Sequence, residues 1–214
     1  MSKIILFQGD SITDCGRNRE NDMFSGLGYV RMVEAQMGYE YPEEYTFLNR
    51  GINGNRIVDV YARIKSDIIN LKPDYLSILI GVNDVWHEIG SKNGVSAEKF
   101  FKIYTMLLEE IKAELPNVKI MLLLPYVLNG PATCNNEENP TRFDCFSTEV
   151  AKRADAAKAV AERFGLTYID LQAAFDEACT KAPATYWAYD GVHPTVKGHE
   201  LIKRKWLEGF EKIK

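Results

Sequence analysis

The sequence predicts an α/β fold, a parallel sheet covered by helices on both faces. Short apolar runs alternate with segments of helical periodicity, and the helical segments are about 15 residues long, enough to cross between parallel strands. Polar residues and glycines follow several of the apolar runs directly. No linker, repeat or low-complexity segment interrupts this alternation, so we expect one domain over residues 1–214.

Five apolar runs have the composition of buried strands. They are Ile4 to Phe7, Tyr45 to Leu48, Tyr75 to Ile80, Ile120 to Leu124, and Tyr168 with Ile169. Each is short and rich in aliphatic, β-branched or aromatic residues, as strands buried on both faces are. Glycine or proline lies close behind several of them and is expected to end the strand.

Apolar residues recur at helical spacing between these strands. The helical patterns run from Ile57 to Leu71, Phe100 to Leu115, Val150 to Phe164 and Ile202 to Ile213. Pro73, Pro116 and Gly165 follow the first three patterns, at positions typical of helix ends. Residues 126–147 and 185–194 lack periodicity, and we predict irregular loops there.

The composition excludes several classes of function. With 46% hydrophobic residues and a net charge of −4, the chain has a sizeable core and no basic surface for nucleic acid or anionic membranes. No segment approaches the ~20 apolar residues of a membrane span. The first apolar run is too short for a secretory signal, so we expect a cytoplasmic protein. The four cysteines have no metal-ligand spacing and are expected to be free thiols.

Three residues in two segments could form a nucleophilic site. Ser11 follows the first strand, and Asp190 stands three residues before His193 in the last irregular segment. Loops that follow parallel strands meet at one edge of the sheet, where open α/β folds place their chemistry. Acyl transfer needs a nucleophile, a base to take its proton and a carboxylate to orient the base. We therefore expect Ser11, His193 and Asp190 to act in these roles.

Acyl transfer also needs donors aimed at the developing oxyanion. Gly51 could offer its backbone N–H, Asn83 its side-chain amide, and Ser11 its own N–H. Each residue also has an ordinary explanation, since serine caps helices and glycine or asparagine forms turns. These explanations stay open for any one residue, but four polar motifs at strand ends or edge loops favour a site.

A metal site or an Asx-turn is the alternative for the Asp190–His193 pair. The other histidines, His87 and His199, do not form a His-x-His or His-Glu-x-x-His motif, which makes the metal interpretation weak. A dinucleotide site is excluded in turn, because no Gly-x-Gly-x-x-Gly motif occurs.

The sequence resembles the SGNH or GDSL hydrolases in four blocks that follow one another in the family's order. The blocks are Gly9-Asp10-Ser11-Ile12, Asn49 to Asn55 with Gly51, Gly81-Val82-Asn83-Asp84, and Asp190-Gly191-Val192-His193-Pro194. Only Ile12 departs from the family name, where it replaces leucine. The resemblance implies a three-layer α/β/α sandwich with about five parallel strands in flavodoxin-like order. It assigns Ser11 as nucleophile, Asp190 and His193 as the rest of the triad, and Gly51 and Asn83 as oxyanion donors.

A closer resemblance is to the carbohydrate acetyl esterases, including intracellular acetylxylan esterases. Residues 9–17, Leu27 to Val30 and Gly81 to Trp86 carry it. It implies hydrolysis of acetyl esters on xylo-oligosaccharides or related sugars, inside the cell and with no cofactor. Trp86, Trp187 and Tyr189 flank the predicted loops and could present flat faces to a sugar ring, although they could equally be ordinary wall or core aromatics.

Two other functions remain open at this stage. One is a lysophospholipase or thioesterase of the same fold, and the other is a non-catalytic carbohydrate-binding module. The polar composition of residues 126–147 and 185–194 argues against a channel for long acyl chains. The intact set of candidate catalytic residues argues against a binding module. The sequence leaves open whether copies of the chain form a homo-oligomer, and it does not identify the sugar.

Overall fold

A parallel five-stranded sheet with strand order β2-β1-β3-β4-β5 lies at the centre of the protein. We describe residues 2–214 from a computed structural model. The strands are β1 (Lys3–Gly9), β2 (Tyr45–Asn49), β3 (Tyr75–Leu79), β4 (Lys119–Leu123) and β5 (Thr167–Ile169). All neighbouring strands pair in parallel, and the order is that of flavodoxin-like sheets. The predicted fold class and its five strands are confirmed.

Helices connect the strands and cover both faces of the sheet. They are α1 (Ser11–Asp14), α2 (Tyr29–Glu40), α3 (Ile57–Ala62), α4 (Ile64–Asp67), α5 (Val82–Ser91), α6 (Ala97–Glu114), α7 (Arg142–Phe164), α8 (Leu171–Cys179), α9 (Ala184–Trp187) and α10 (Val196–Phe210). A 3₁₀ turn spans Ile69–Leu71. Among residues 2–214, none of these helices combines the length and the apolar character needed to cross a membrane.

The sheet separates two apolar cores. In β1, Ile5 and Phe7 belong to one core and Leu6 to the other, as the two-residue period of a strand requires. Helices α2, α8 and α10 close the first core, and α3, α6 and α7 close the second. This layering explains why β1 reads as a continuous apolar run, since both of its faces are buried.

The structure corrects several predicted helix boundaries. The pattern from Ile57 to Leu71 is broken at Arg63, whose φ of −114° and ψ of 20° are not helical. The predicted loop at 126–147 ends early, because α7 begins at Arg142. Helices α2, α5 and α8 lie where no helix was predicted, and α9 occupies the start of the predicted loop at 185–194. In α5 the reason is clear: Asn83 and Asp84 look like turn residues, but polar and acidic residues are also favoured in a helix's first turn.

Candidate active site

Ser11 is the first residue of α1, immediately beyond β1. The capping position belongs to Asp10, whose Oδ1 accepts a hydrogen bond from the N–H of Ile12 at 3.0 Å. The Ser11 hydroxyl is therefore not needed as a helix cap. Its Oγ lies 2.8 Å from Nε2 of His193.

His193 and Asp190 are held together by a short loop. Nδ1 of His193 lies 2.6 Å from Oδ2 of Asp190, and Oδ1 of Asp190 accepts hydrogen bonds from the N–H groups of Val192 and His193. With its Nδ1 hydrogen directed at the carboxylate, the ring presents Nε2 as an acceptor to the Ser11 hydroxyl. The loop turns at Gly191, where φ is +103° and a β-carbon would collide with the carbonyl oxygen of Leu128.

The charges in this loop are arranged to make the imidazole basic. The hydrogen bond to Asp190 raises the pKa of His193 above its usual value, against the opposing effect of burial. Burial acts to raise the pKa of Asp190, but the hydrogen bonds from the ring and backbone of His193 and from Val192 outweigh it and leave that pKa lowered. In this arrangement an ionised Asp190 can stabilise a protonated His193.

Asp10 is a buried acid beside this group. Burial raises its pKa to about 7, although the hydrogen bond from Ile12 and the nearby His193 both act to lower it. The two groups also act on each other: a protonated His193 lowers the pKa of Asp10, and an ionised Asp10 raises the pKa of His193.

The prediction that Gly51 is an oxyanion donor is wrong. Its N–H donates to Oδ1 of Asn49 at 2.9 Å, and a backbone N–H has only one hydrogen to give. This bond, from residue i+2 to an asparagine side chain, is an Asx-turn. Gly51 instead allows close packing, because a β-carbon there would collide with the backbone of Thr13 and Asp14.

Gly54, which the sequence analysis missed, lies beside Ser11 in the place where Gly51 was expected. It lines the same cavity as Ser11, Asn83 and His193, and its φ of +77° is one that glycine adopts readily. Its N–H has no hydrogen-bond partner in the described part of the chain, residues 2–214. The Asn53-Gly54 pair was the available signal, since this dipeptide favours turns with positive φ.

Asn83 is placed at the same cavity by the first turn of α5. Its Nδ2 donates one hydrogen bond to the carbonyl oxygen of Asn55 at 3.2 Å. An amide nitrogen has two hydrogens, so one remains available to a ligand. The N–H of Ser11, in the first turn of a helix, likewise has no intrahelical acceptor. The N–H groups of Ser11 and Gly54 and the Asn83 amide are therefore grouped around one space.

The cavity beside Ser11 has a volume of about 360 Å³. Its lining is polar apart from one tryptophan and one glycine, and consists of Ser11, Asn53, Gly54, Asn83, Trp86, His87 and His193. This volume is near the lower end for small-molecule sites. Among residues 2–214, no group of three or more His, Cys, Asp or Glu side chains is arranged to hold a metal ion.

The three predicted sugar-facing aromatic residues differ in position. Trp86 lines the cavity, and its ring centroid is 5.9 Å from that of His193. Tyr189 stacks on His193 at 5.8 Å with an interplanar angle of 17° and is 58% exposed, but it does not line the cavity. Trp187 faces a different hollow beside Met32, so the structure does not bring it to the site.

An α/β/α sandwich with a hydrogen-bonded serine, histidine and aspartate at the carboxyl edge of its sheet has the architecture of a serine hydrolase. The chain belongs to the GDSL-like lipase/acylhydrolase family, whose model matches residues 7–201. It is similar to the acetylxylan esterase of Geobacillus stearothermophilus, at 36% identity over 98% of this chain and 95% of that protein. These relationships make it a carboxylic ester hydrolase.

Solved structures have the same fold over nearly the whole chain. A Parabacteroides merdae protein described as a GDSL-like lipase is 36% identical with a TM-score of 0.87, and the match covers 99% of this chain and 97% of that one. The crystal structure of the Geobacillus stearothermophilus acetylxylan esterase superimposes with a TM-score of 0.82 at 32% sequence identity, and the match covers 97% of this chain and 93% of that one.

Proposed function

We propose that this ester hydrolase removes acetyl groups from carbohydrate hydroxyls, those of xylo-oligosaccharides among them, through an acetyl-enzyme formed on Ser11. The observation that carries the proposal is the continuous hydrogen-bonded path from Ser11 Oγ through His193 to Asp190. The acetylxylan esterase relative and the small, polar cavity support the substrate class.

In the first half of the reaction, Ser11 Oγ attacks the acetyl carbonyl while Nε2 of His193 takes the hydroxyl proton. The carbonyl oxygen becomes an oxyanion that accepts hydrogen bonds from the N–H groups of Ser11 and Gly54 and from Nδ2 of Asn83. When the tetrahedral intermediate collapses, the C–O bond to the sugar breaks. The sugar oxygen leaves with the proton held by His193.

Water completes the cycle. His193 takes a proton from a water molecule that attacks the acetyl-serine, the same three donors hold the second oxyanion, and acetate leaves as Ser11 recovers its proton. Ionised Asp190 stabilises the imidazolium in both halves. Every proton transfer in this cycle passes through His193, and the chain's own groups suffice for each step.

An acetate-release screen tests the proposal. Acetylated xylo-, manno- and amino-sugar oligosaccharides are compared with an aryl acetate, and the Ser11→Ala variant serves as the control. We expect release from at least one acetylated sugar, at a rate well above that of the variant. Turnover of the aryl acetate with no release from any sugar would overturn the substrate class while leaving the ester hydrolase in place.

A further inference from the structure

His87 lines the candidate active site, although the residues that form the proposed triad and oxyanion donors do not include it. Asn83, Trp86 and His87 occupy positions i, i+3 and i+4 of α5, and positions with this spacing share one face of a helix. All three side chains line the cavity beside Ser11. Helix α5 thus presents an amide, an indole and an imidazole to the same space.

The His87 ring also lies close to the Gly54 loop. Among the described residues, a β-carbon built on Gly54 would come within 4 Å of this ring alone, with Nε2 of His87 3.9 Å away. The ring is therefore near the expected position of the oxyanion, on the wall that α5 and the Gly54 loop form together.

The hydrogen-bonding groups of His87 are free, in contrast to those of the other two histidines. His193 uses both ring nitrogens, with Ser11 and Asp190. His199 also uses both, with the N–H of Tyr29 and the thiol of Cys15. Within residues 2–214, neither ring nitrogen of the half-buried His87 has a hydrogen-bond partner. An imidazole has one donor and one acceptor when neutral, and here both are available to a bound molecule.

We infer that His87 is a specificity-determining residue that hydrogen-bonds a free hydroxyl of the sugar carrying the acetyl group. The inference rests on the proposed function and adds how the alcohol part of the ester is recognised. The acetyl methyl has no hydrogen-bonding group, whereas a sugar has hydroxyls beside the acetylated one. Trp86, the neighbour of His87 on α5, supplies a flat face for the sugar ring.

A pair of substrates isolates this role. An acetylated xylo-oligosaccharide has free hydroxyls, and 4-nitrophenyl acetate has none, while the acyl chemistry is the same for both. Loss of one neutral hydrogen bond changes binding by about three- to tenfold. For His87→Phe, which keeps a ring but no hydrogen-bonding group, we expect kcat/KM to fall by about that factor on the oligosaccharide, mainly through KM. On the aryl ester it should stay within about twofold of wild type.

Two further variants serve as controls. His87→Gln keeps a donor and an acceptor and should recover most of the oligosaccharide activity. Glu88→Gln changes the next, exposed residue of α5, which does not line the cavity, and should leave both substrates unaffected. Thermal melting of each variant establishes that equal amounts of folded enzyme are compared.

The outcomes separate the two ideas. If His87→Phe affects both substrates equally, or neither, the role of His87 is overturned and the deacetylase proposal stands. If wild-type enzyme hydrolyses the aryl acetate but no acetylated sugar, the deacetylase proposal fails and the role of His87 fails with it. A selective loss on the oligosaccharide, recovered in His87→Gln, supports the inference.

Discussion

The backbone carbonyl of Asn55 accepts a hydrogen bond from the side-chain amide of Asn83, and this contact joins two of the three segments that supply the proposed oxyanion donors, the Gly54 loop and α5. Asn55 directly follows Gly54, and its own side chain is held by Nε of Arg63 at 2.9 Å. The same guanidinium donates to the carbonyl of Arg50 and to the side chain of Gln8. Arg63 thereby fixes the Gly54 loop against the ends of β1 and β2.

Asn83→Ala should lower kcat by about 10² to 10³ with little change in KM, because its amide is proposed to bind the oxyanion and not the ground-state ester. Steady-state kinetics on an aryl acetate measure both constants. A lowered melting temperature with kcat per folded molecule intact would instead mean that Asn83 only stabilises the start of α5.

Arg63→Lys should lower kcat by about 10- to 100-fold at nearly constant KM, since a small displacement of catalytic groups costs this much. Lysine has a single nitrogen and cannot reach Asn55, Arg50 and Gln8 together. Arg56→Lys is the matched control: Arg56 is similarly buried and also pairs with an aspartate, but its guanidinium contacts Asp59 and Asn93. Equal losses of kcat in the two variants would contradict a positioning role for Arg63.

Ser11→Ala and His193→Ala should each lower kcat by roughly 10⁴ to 10⁶, and the double variant should lose little more than either single one. If the two residues act as one proton-transfer unit, removing either one already abolishes the contribution of both, so the second substitution adds little. The measurement is kcat for the two single variants and the double variant on one substrate. Losses that multiply would indicate that the 2.8 Å contact between these side chains is not used in catalysis.

The site should favour esters with an acetyl group over esters with longer acyl chains. The cavity of about 360 Å³ has few apolar side chains to contact a longer acyl chain. In a tight pocket, one added methylene changes kcat/KM by about 10- to 200-fold. We expect kcat/KM for aryl esters to fall from acetyl to butyryl and to be negligible at octanoyl. A lysophospholipase or thioesterase would give the opposite slope, because each buried methylene contributes about 0.8 kcal/mol. A rise from acetyl to octanoyl would therefore identify that alternative.

His199 should make stability depend on pH. Burial lowers its pKa to about 4, with a smaller contribution from His193. Between about pH 6.5 and 4 the unfolded chain binds a proton that the folded ring does not, so stability is lost as the pH falls through this window, by about 3 kcal/mol in all.

The His199→Asn variant isolates this effect, because asparagine can still accept the N–H of Tyr29 but does not titrate. Asp10, with its raised pKa, changes the free energy of unfolding in the opposite direction as the pH falls. Because Asp10 is present in both proteins, its effect cancels when the free energies of the wild type and the variant are subtracted. Urea unfolding at several pH values should show the wild type losing stability relative to the variant below pH 6.5. A difference that is constant with pH would exclude this role for His199.

The parts of the fold that depend on local pattern were predictable from sequence. The strands could be predicted, because burial on both faces of the sheet produces continuous apolar runs. The break at Arg63 was not, since it depends on hydrogen bonds to Arg50 and Asn55 that periodicity does not record.

At the site, the sequence indicated which residues come together, but it indicated less well which of their hydrogen-bonding groups are already occupied by partners in the protein. Ser11, His193 and Asp190 lie together as expected. The N–H of Gly51 is taken by Asn49, and that Asx-turn was foreseeable from the spacing. The free imidazole of His87 was not foreseeable, because only the packing of α5 against the Gly54 loop reveals it.

The closeness of Asp190 and His193 along the chain has a consequence for how the site is assembled. The base and its carboxylate form a unit within four consecutive residues, whereas the contact with Ser11 joins residues 182 positions apart. The loop that carries this unit is held by long-range hydrogen bonds from the Tyr126 hydroxyl and from the N–H groups of Leu128 and Ala132 to its carbonyls, so the contact with Ser11 depends on this segment staying docked on residues 126–132. A local opening of that segment would inactivate the enzyme reversibly while the sheet hydrogen bonds remained intact. Activity would then be lost before the fold is lost.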